Sequence, residues 1–139
     1  MADPEKVGAV IREWVLKADS DLEAARLLVR SGPKFPTEAV CFHAQQCVEK
    51  YLKAYLVFRE IEFPRTHGIP FLLNLIPEGE RTALSAADQV LLTAYATGIR
   101  YPGWIDLTPT EARYALRLAR AVRSEVRKRL PRKVLRKQR

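Results

Sequence analysis

Between Pro4 and the Gly32-Pro33 pair, apolar side chains recur at helical spacing without a break, and this stretch limits the possible folds more than any other feature. With Val7 set at zero and about 100° added per residue, Val10, Ile11, Trp14, Val15, Ala18, Leu22, Ala25, Leu28 and Val29 fall within an arc of about 140°. The periodicity predicts a helix from about Asp3 or Pro4 to Arg30. Pro4 suits a first turn, where its missing N–H costs nothing, and Gly32-Pro33 stops the helix.

The same punctuation continues along the chain. Thr37 is the expected cap of a second helix, Glu38 to Phe58. Val40, Cys41, Ala44, Cys47, Val48, Tyr51, Leu52, Ala54, Tyr55 and Phe58 take one half of it; His43, Gln45, Gln46, Glu49, Lys50 and Lys53 take the other. Phe42 and Leu56 project from the polar half and imply that a second subunit or the C-terminal helix partly covers it. A loop at 63–68 leads to a short apolar stretch, Ile69 to Ile76, and then to a polar connection, Pro77 to Arg81. Ser85 with Asp88 opens a helix that reaches about Thr97 and ends at Gly98. Arg100-Tyr101-Pro102-Gly103-Trp104 contains a turn. Thr108-Pro109-Thr110-Glu111 caps a last helix running to about Leu130, with Ala112, Ala115, Leu118, Ala119, Val122, Val126 and Leu130 inward. Pro131 breaks it. No alternating run is long enough for a sheet, so the expected fold is all-α: an up-and-down bundle of four main antiparallel helices plus a short fifth. Its domain is residues 1–130, followed by a basic tail, 131–139, too short and charged to pack.

Charge is distributed unevenly. The chain carries a net +8, yet residues 1–110 hold 12 basic and 14 acidic groups, and residues 111–139 hold 12 basic and 2 acidic. Arg113, Arg117, Arg120 and Arg127 line the outward side of the last helix with no acid at +3 or +4. Such a ridge suits nucleic-acid phosphates or an anionic lipid surface, or it is simply a solubilising terminus. Cys41 and Cys47 lack metal-type spacing and read as small buried hydrophobes. No apolar run approaches the roughly 18 residues of a membrane span, and no secretory leader pattern opens the chain, so a cytoplasmic location is expected. A glycine-rich phosphate loop, zinc spacing and a serine nucleophile elbow are absent from the sequence, and neither metal nor cofactor is expected.

Candidate chemistry concentrates on the second helix. His43, Gln46, Lys50 and Lys53 recur at +3, +4 and +3, with Gln45 and Glu49 beside them. Such a row can bind a phosphate and a base edge, or be a solvated face with an ordinary Glu49–Lys53 pair. Asp21 falls inside the buried stripe of the first helix and requires a basic partner on a neighbouring helix. Arg100 is a forked phosphate donor or a helix-capping arginine. His67 is an acid–base or phosphate contact, or an incidental loop histidine.

Taken together, Trp14…Ala18…Asp21-Leu22…Ala25, the run Ala44-Gln45-Gln46-Cys47-Val48-Glu49-Lys50-Tyr51-Leu52-Lys53-Ala54, Thr66-His67-Gly68-Ile69, Arg100-Tyr101-Pro102 and Glu111-Ala112 form a pattern that resembles the HEPN domain family over roughly residues 8 to 130. The resemblance implies a helical bundle similar to the C-terminal domain of kanamycin nucleotidyltransferase, usually a homodimer. It also implies nucleotide or RNA binding, and pairing with a minimal nucleotidyltransferase as a toxin–antitoxin system. Its nucleotide- or RNA-binding residues would be His43, Gln46, Lys50, Lys53, Arg100 and Tyr101, with Asp21 and Glu49 structural and the Arg113 ridge accessory. Many members are metal-independent endoribonucleases with an Arg, four to six residues, then His. Counting from Arg100, those positions end at Ile105, Asp106 and Leu107, none of them histidine. A ribonuclease would have to draw on Arg100 with His67 or His43. The other alternative is a non-catalytic dimerisation module.

Overall fold

A computed structural model describes residues 2–97 and 106–136. Its helices are α1 (Pro4–Arg30), α2 (Thr37–Phe58), α3 (Ile69–Leu75), α4 (Ala86–Thr97), α5 (Pro109–Arg129) and α6 (Arg132–Leu135), with a 3-10 turn at Glu78–Glu80. The fold is the expected all-α bundle: α1, α2, α4 and α5 are the main helices and α3 the short one. Local chemistry sets the helix starts. The Asp3 carboxylate accepts from Glu5 N (2.9 Å), the Ser85 hydroxyl from Asp88 N (3.1 Å) and the Thr108 hydroxyl from Glu111 N (3.1 Å). Each such cap contributes about 1 kcal/mol. At α2 the expected cap is displaced. Pro36 holds the extended cap position and its carbonyl accepts from Val40 N, so Thr37 lies inside the first turn and its side chain caps nothing.

α2 is the axle of the bundle, packed by α1, α3, α4 and α5. Tyr51, Leu52, Ala54 and Leu56 are fully buried on one side or another, and so are Val40, Cys41, Ala44 and Val48. The chain's own helices therefore cover Leu56, and no second subunit is needed for it. Phe42, partly buried against the core, sets its ring 5.5 Å from the His43 ring. Because α2 is enclosed, Gln45, Glu49 and Lys53 are buried rather than solvated. The α1 stripe holds at Ile11, Val15, Ala18 and Ala25, but Val10 at its margin is exposed. On α5, Leu116 is buried and Leu118 only partly so. Both cysteines are buried free thiols, and burial pushes the Cys41 thiol up to about 12.

Residues 132–135 of the expected basic tail form a helical turn that packs. After Pro131 turns the chain, Val134 N bonds Pro131 O (3.1 Å) and α6 docks on α1, leaving Val134 only 7% exposed. Val134 packs beside Gly8 of α1: a Cβ placed there would lie 3.9 Å from a Val134 methyl, an ordinary van der Waals distance. An apolar pair, Val134-Leu135, thus anchors residues that their charge alone would leave in solvent. Val134→Ala should lower unfolding free energy by about 1 kcal/mol, and deleting 131–139 should lower it by at least as much, as read by urea denaturation. An unchanged midpoint for both variants would show that α6 does not pack.

Candidate functional site

Gln45, Glu49 and Lys53 follow one another at i, i+4 and i+8 on α2 and form a polar row inside the protein. Glu49 is its centre. Its Oε1 accepts from Gln45 Nε2 (2.9 Å) and lies 2.7 Å from His67 Nδ1, while its Oε2 accepts from Lys53 Nζ (2.9 Å). The Gln45 side-chain carbonyl in turn accepts from Gln46 Nε2 (2.6 Å). Burial by itself would raise the Glu49 carboxyl, but hydrogen bonds from Gln45, Lys53 and His67, with the Lys53 charge, outweigh it and hold the group below the usual carboxylate range. The Lys53 ammonium lies over the rings of Trp14 (5.5 Å) and Phe63 (5.9 Å), so α1 and the loop before α3 close over it.

Two further carboxylates tie α1 to α2. Asp21, with only 12% of its side chain exposed, takes His43 Nδ1 at 2.8 Å and Lys50 Nζ at 2.5 Å. The expected basic partner is present, and there are two of them. Two residues earlier, Asp19 accepts from the Tyr51 hydroxyl and from Arg123 Nε (2.9 Å), and Arg127 stands 3.5 Å away. Burial and then the Asp19 carboxylate push the Tyr51 phenol up, so it stays a proton donor to Asp19. This node joins α1, α2 and α5.

The predicted row is thereby divided. His43 and Lys50 face Asp21, Lys53 belongs to the buried Glu49 row, and Gln46 is linked to that row through Gln45. The Glu49–Lys53 pair is not an ordinary surface pair: its side chains are 4% and 8% exposed. His67 is brought to α2 by Glu49 while 57% of its side chain remains in solvent. Arg100 and Tyr101 lie outside the described residues, as does Gly98. Of the ridge, Arg113, Arg117 and Arg120 are exposed, and Arg127 turns toward Asp19. Asp19, Tyr51, Arg26 and Arg30 were not singled out by the sequence. Asp19 sits two residues before Asp21, and Arg26 and Arg30 are spaced i,i+4 near a helix end, a pattern that identifies them only once α5 is known to pack alongside. Among the described residues, no group of three or more His, Cys, Asp or Glu side chains is placed to hold a metal ion, and no helix is long and apolar enough to cross a membrane.

The buried amide–carboxylate–ammonium row, with a loop histidine on its carboxylate, is supplied by the Gln45-Gln46…Glu49-Lys50…Lys53 run and by Thr66-His67-Gly68. Both lie within residues 11–129, which match the family profile of the HEPN domain. The chain belongs to the HEPN domain family. Two solved structures support the membership. The crystal structure of TT1696 from Thermus thermophilus superimposes with a TM-score of 0.71 at 27% identity, covering 86% of this chain and 98% of that one. The crystal structure of ST0689, an archaeal HEPN homologue, superimposes with a TM-score of 0.63 at 27% identity, covering 86% and 96%. A search of curated proteins found no match.

In this HEPN bundle the lowered Glu49 carboxyl has a consequence for stability. A group depressed in the folded state stabilises above its unfolded value, here 4.5, and that contribution is lost as pH falls through the folded value. Glu49→Gln should therefore be less stable than the parent at pH 7 by about 1–3 kcal/mol, with the gap closing below about pH 4.5. Chemical denaturation at several pH values checks this; a gap that widens toward acid would contradict the assignment.

Proposed function

We propose that this HEPN-type chain binds a nucleotide or RNA at the solvent edge of α2, working as a homodimer beside a minimal nucleotidyltransferase partner. The observation that carries the reading is that two imidazoles, His43 and His67, are each held through Nδ1 by a carboxylate that is itself largely buried, Asp21 and Glu49. A ring fixed in this way presents Nε2 outward at a set angle, suited to a phosphate oxygen or a ribose hydroxyl. Between them stand Lys50, 21% exposed and able to lend its ammonium to a phosphate while bonded to Asp21, and Gln46, whose amide is oriented by Gln45. Lys53 is assigned a supporting role, since Glu49 and two aromatic rings enclose it. Arg100 and Tyr101 keep the place that the family pattern implies for them.

A second reading is metal-independent RNA cleavage. The Glu49–His67 pair favours it, because a carboxylate on Nδ1 is how a general base is oriented and its charged form stabilised. In that reading His67 takes the 2′-hydroxyl proton, the 2′-oxygen attacks phosphorus while Arg100 stabilises the phosphorane charge, and the P–O5′ bond breaks as the leaving oxygen takes a proton from water. One experiment separates the readings. Incubation of the full chain with a fluorescent single-stranded RNA in EDTA should show binding without cleavage, weakened about tenfold or more by Lys50→Ala. Cleavage abolished by His67→Ala would establish the second reading instead, and affinity unaffected by Lys50→Ala and His43→Ala would remove α2 as the site.

A further inference from the structure

The C-terminal half of α1 and the N-terminal half of α5 border an open cleft of about 470 Å³ that shares no lining residue with the α2 site. Arg26 and Arg30 of α1 face Arg113, Arg117 and Arg120 of α5 across a floor of Val29 and Leu116. Five guanidiniums around one depression repel one another, and among the described residues the acid that bears on more than one of them is Glu23, through Arg26 and, more weakly, Arg30. Arg26 is bonded by Glu23 at 2.6 and 2.9 Å. Arg30, Arg113, Arg117 and Arg120 make no ion pair with any described residue, whereas Arg123 and Arg127, farther along α5, are both taken up by Asp19.

Two of these unpaired arginines are nevertheless positioned. Arg113 lies over the buried Phe35 ring at 5.2 Å and Arg117 over the Tyr114 ring at 5.6 Å, and Tyr114 is fixed in turn by its hydroxyl on Asp88. A cation–π contact does not use up a guanidinium's N–H donors, and its forked edge is the part that binds a phosphoryl group with two parallel hydrogen bonds. Arg113, Arg117 and Arg120 occupy successive turns, about 10 Å along the axis, long enough to meet more than one phosphate.

We infer that the α1–α5 cleft is a second anion site, built to hold a chain of phosphoryl groups such as the backbone of a nucleic-acid strand or inorganic polyphosphate. It is separate from the α2 edge, and it replaces the idea of a basic ridge ending in Arg127 by a two-sided cleft that includes Arg26 and Arg30. An apolar floor under a cationic rim also leaves a place for the less polar part of a nucleotide unit between the phosphates.

Fluorescence anisotropy of the full chain with a short labelled single-stranded RNA tests this, with inorganic polyphosphate as unlabelled competitor. The double variant Arg113→Gln/Arg117→Gln should weaken RNA binding at least tenfold and reduce the salt dependence by about two phosphate contacts. The control Lys128→Gln/Arg129→Gln removes the same charge from the far end of α5 and should change affinity less than threefold. Arg117→Lys, which keeps charge but loses the planar fork, should fall between parent and double variant. Equal losses from the two charge-neutralised pairs would show that net charge, not the cleft, attracts the strand. Failure of polyphosphate to displace RNA would overturn the phosphoryl-chain assignment. Loss of binding on Lys50→Ala with the cleft variant unaffected would reject the cleft while leaving the α2 site standing. Absence of binding to either polyanion would reject the cleft outright.

Discussion

The structure depends on one buried carboxylate. Glu49 stands on the central helix, where an ionised group is tolerated only if its oxygens are fully engaged. Gln45, Lys53 and His67 engage them, and each does a different structural job. Gln45 continues the row to Gln46, Lys53 brings Trp14 and Phe63 together over α2, and His67 fastens the loop between α2 and α3. With Asp19 and Asp21 holding α1 against the same helix, three carboxylates fix the register of α2 more specifically than its apolar contacts do. Apolar packing is tolerant of small shifts, whereas a shift of one turn would leave these groups without partners.

Much of the fold was legible in the sequence because its signals are local. Ser85 and Thr108 cap as their sequence positions predict, and the long amphipathic stripe of α1 needs no tertiary knowledge. What could not be read is what depends on enclosure. A helical wheel assigns Gln45, Glu49 and Lys53 to a solvated half because it assumes one wet side, and an axial helix has none. The mixed character of that half, with Phe42 and Leu56 among polar groups, was the available signal. α6 was missed for the complementary reason: two apolar residues in a basic octet look negligible until the first turns of α1 are there for them to pack on.

The candidate site was legible as a set of residues but not as an arrangement. Asp21 demanded a basic partner and received both Lys50 and His43. The even spacing of His43, Gln46, Lys50 and Lys53 suggested one ligand-facing row, yet the carboxylates divide it between two clusters and withdraw Lys53 from solvent. Arg30, Arg113, Arg117 and Arg120, which no described acid pairs, meet instead in the cleft between α1 and α5, which no single segment of sequence displays. In this HEPN protein, positive charge on the outer half of α2 is balanced by acids that shape it, whereas four arginines of the α1–α5 cleft have no such partner among the described residues.

The measurement that bears most directly on this account is a double-mutant cycle at Glu49 and Lys53 by equilibrium denaturation. Glu49→Met should cost about 3–5 kcal/mol, because it leaves the Lys53 ammonium buried without its counter-charge. Adding Lys53→Met should then restore part of that loss, making the double variant more stable than Glu49→Met alone. If the second substitution instead lowers stability further, as two independent sites would, Glu49 is not the group on which the buried row depends.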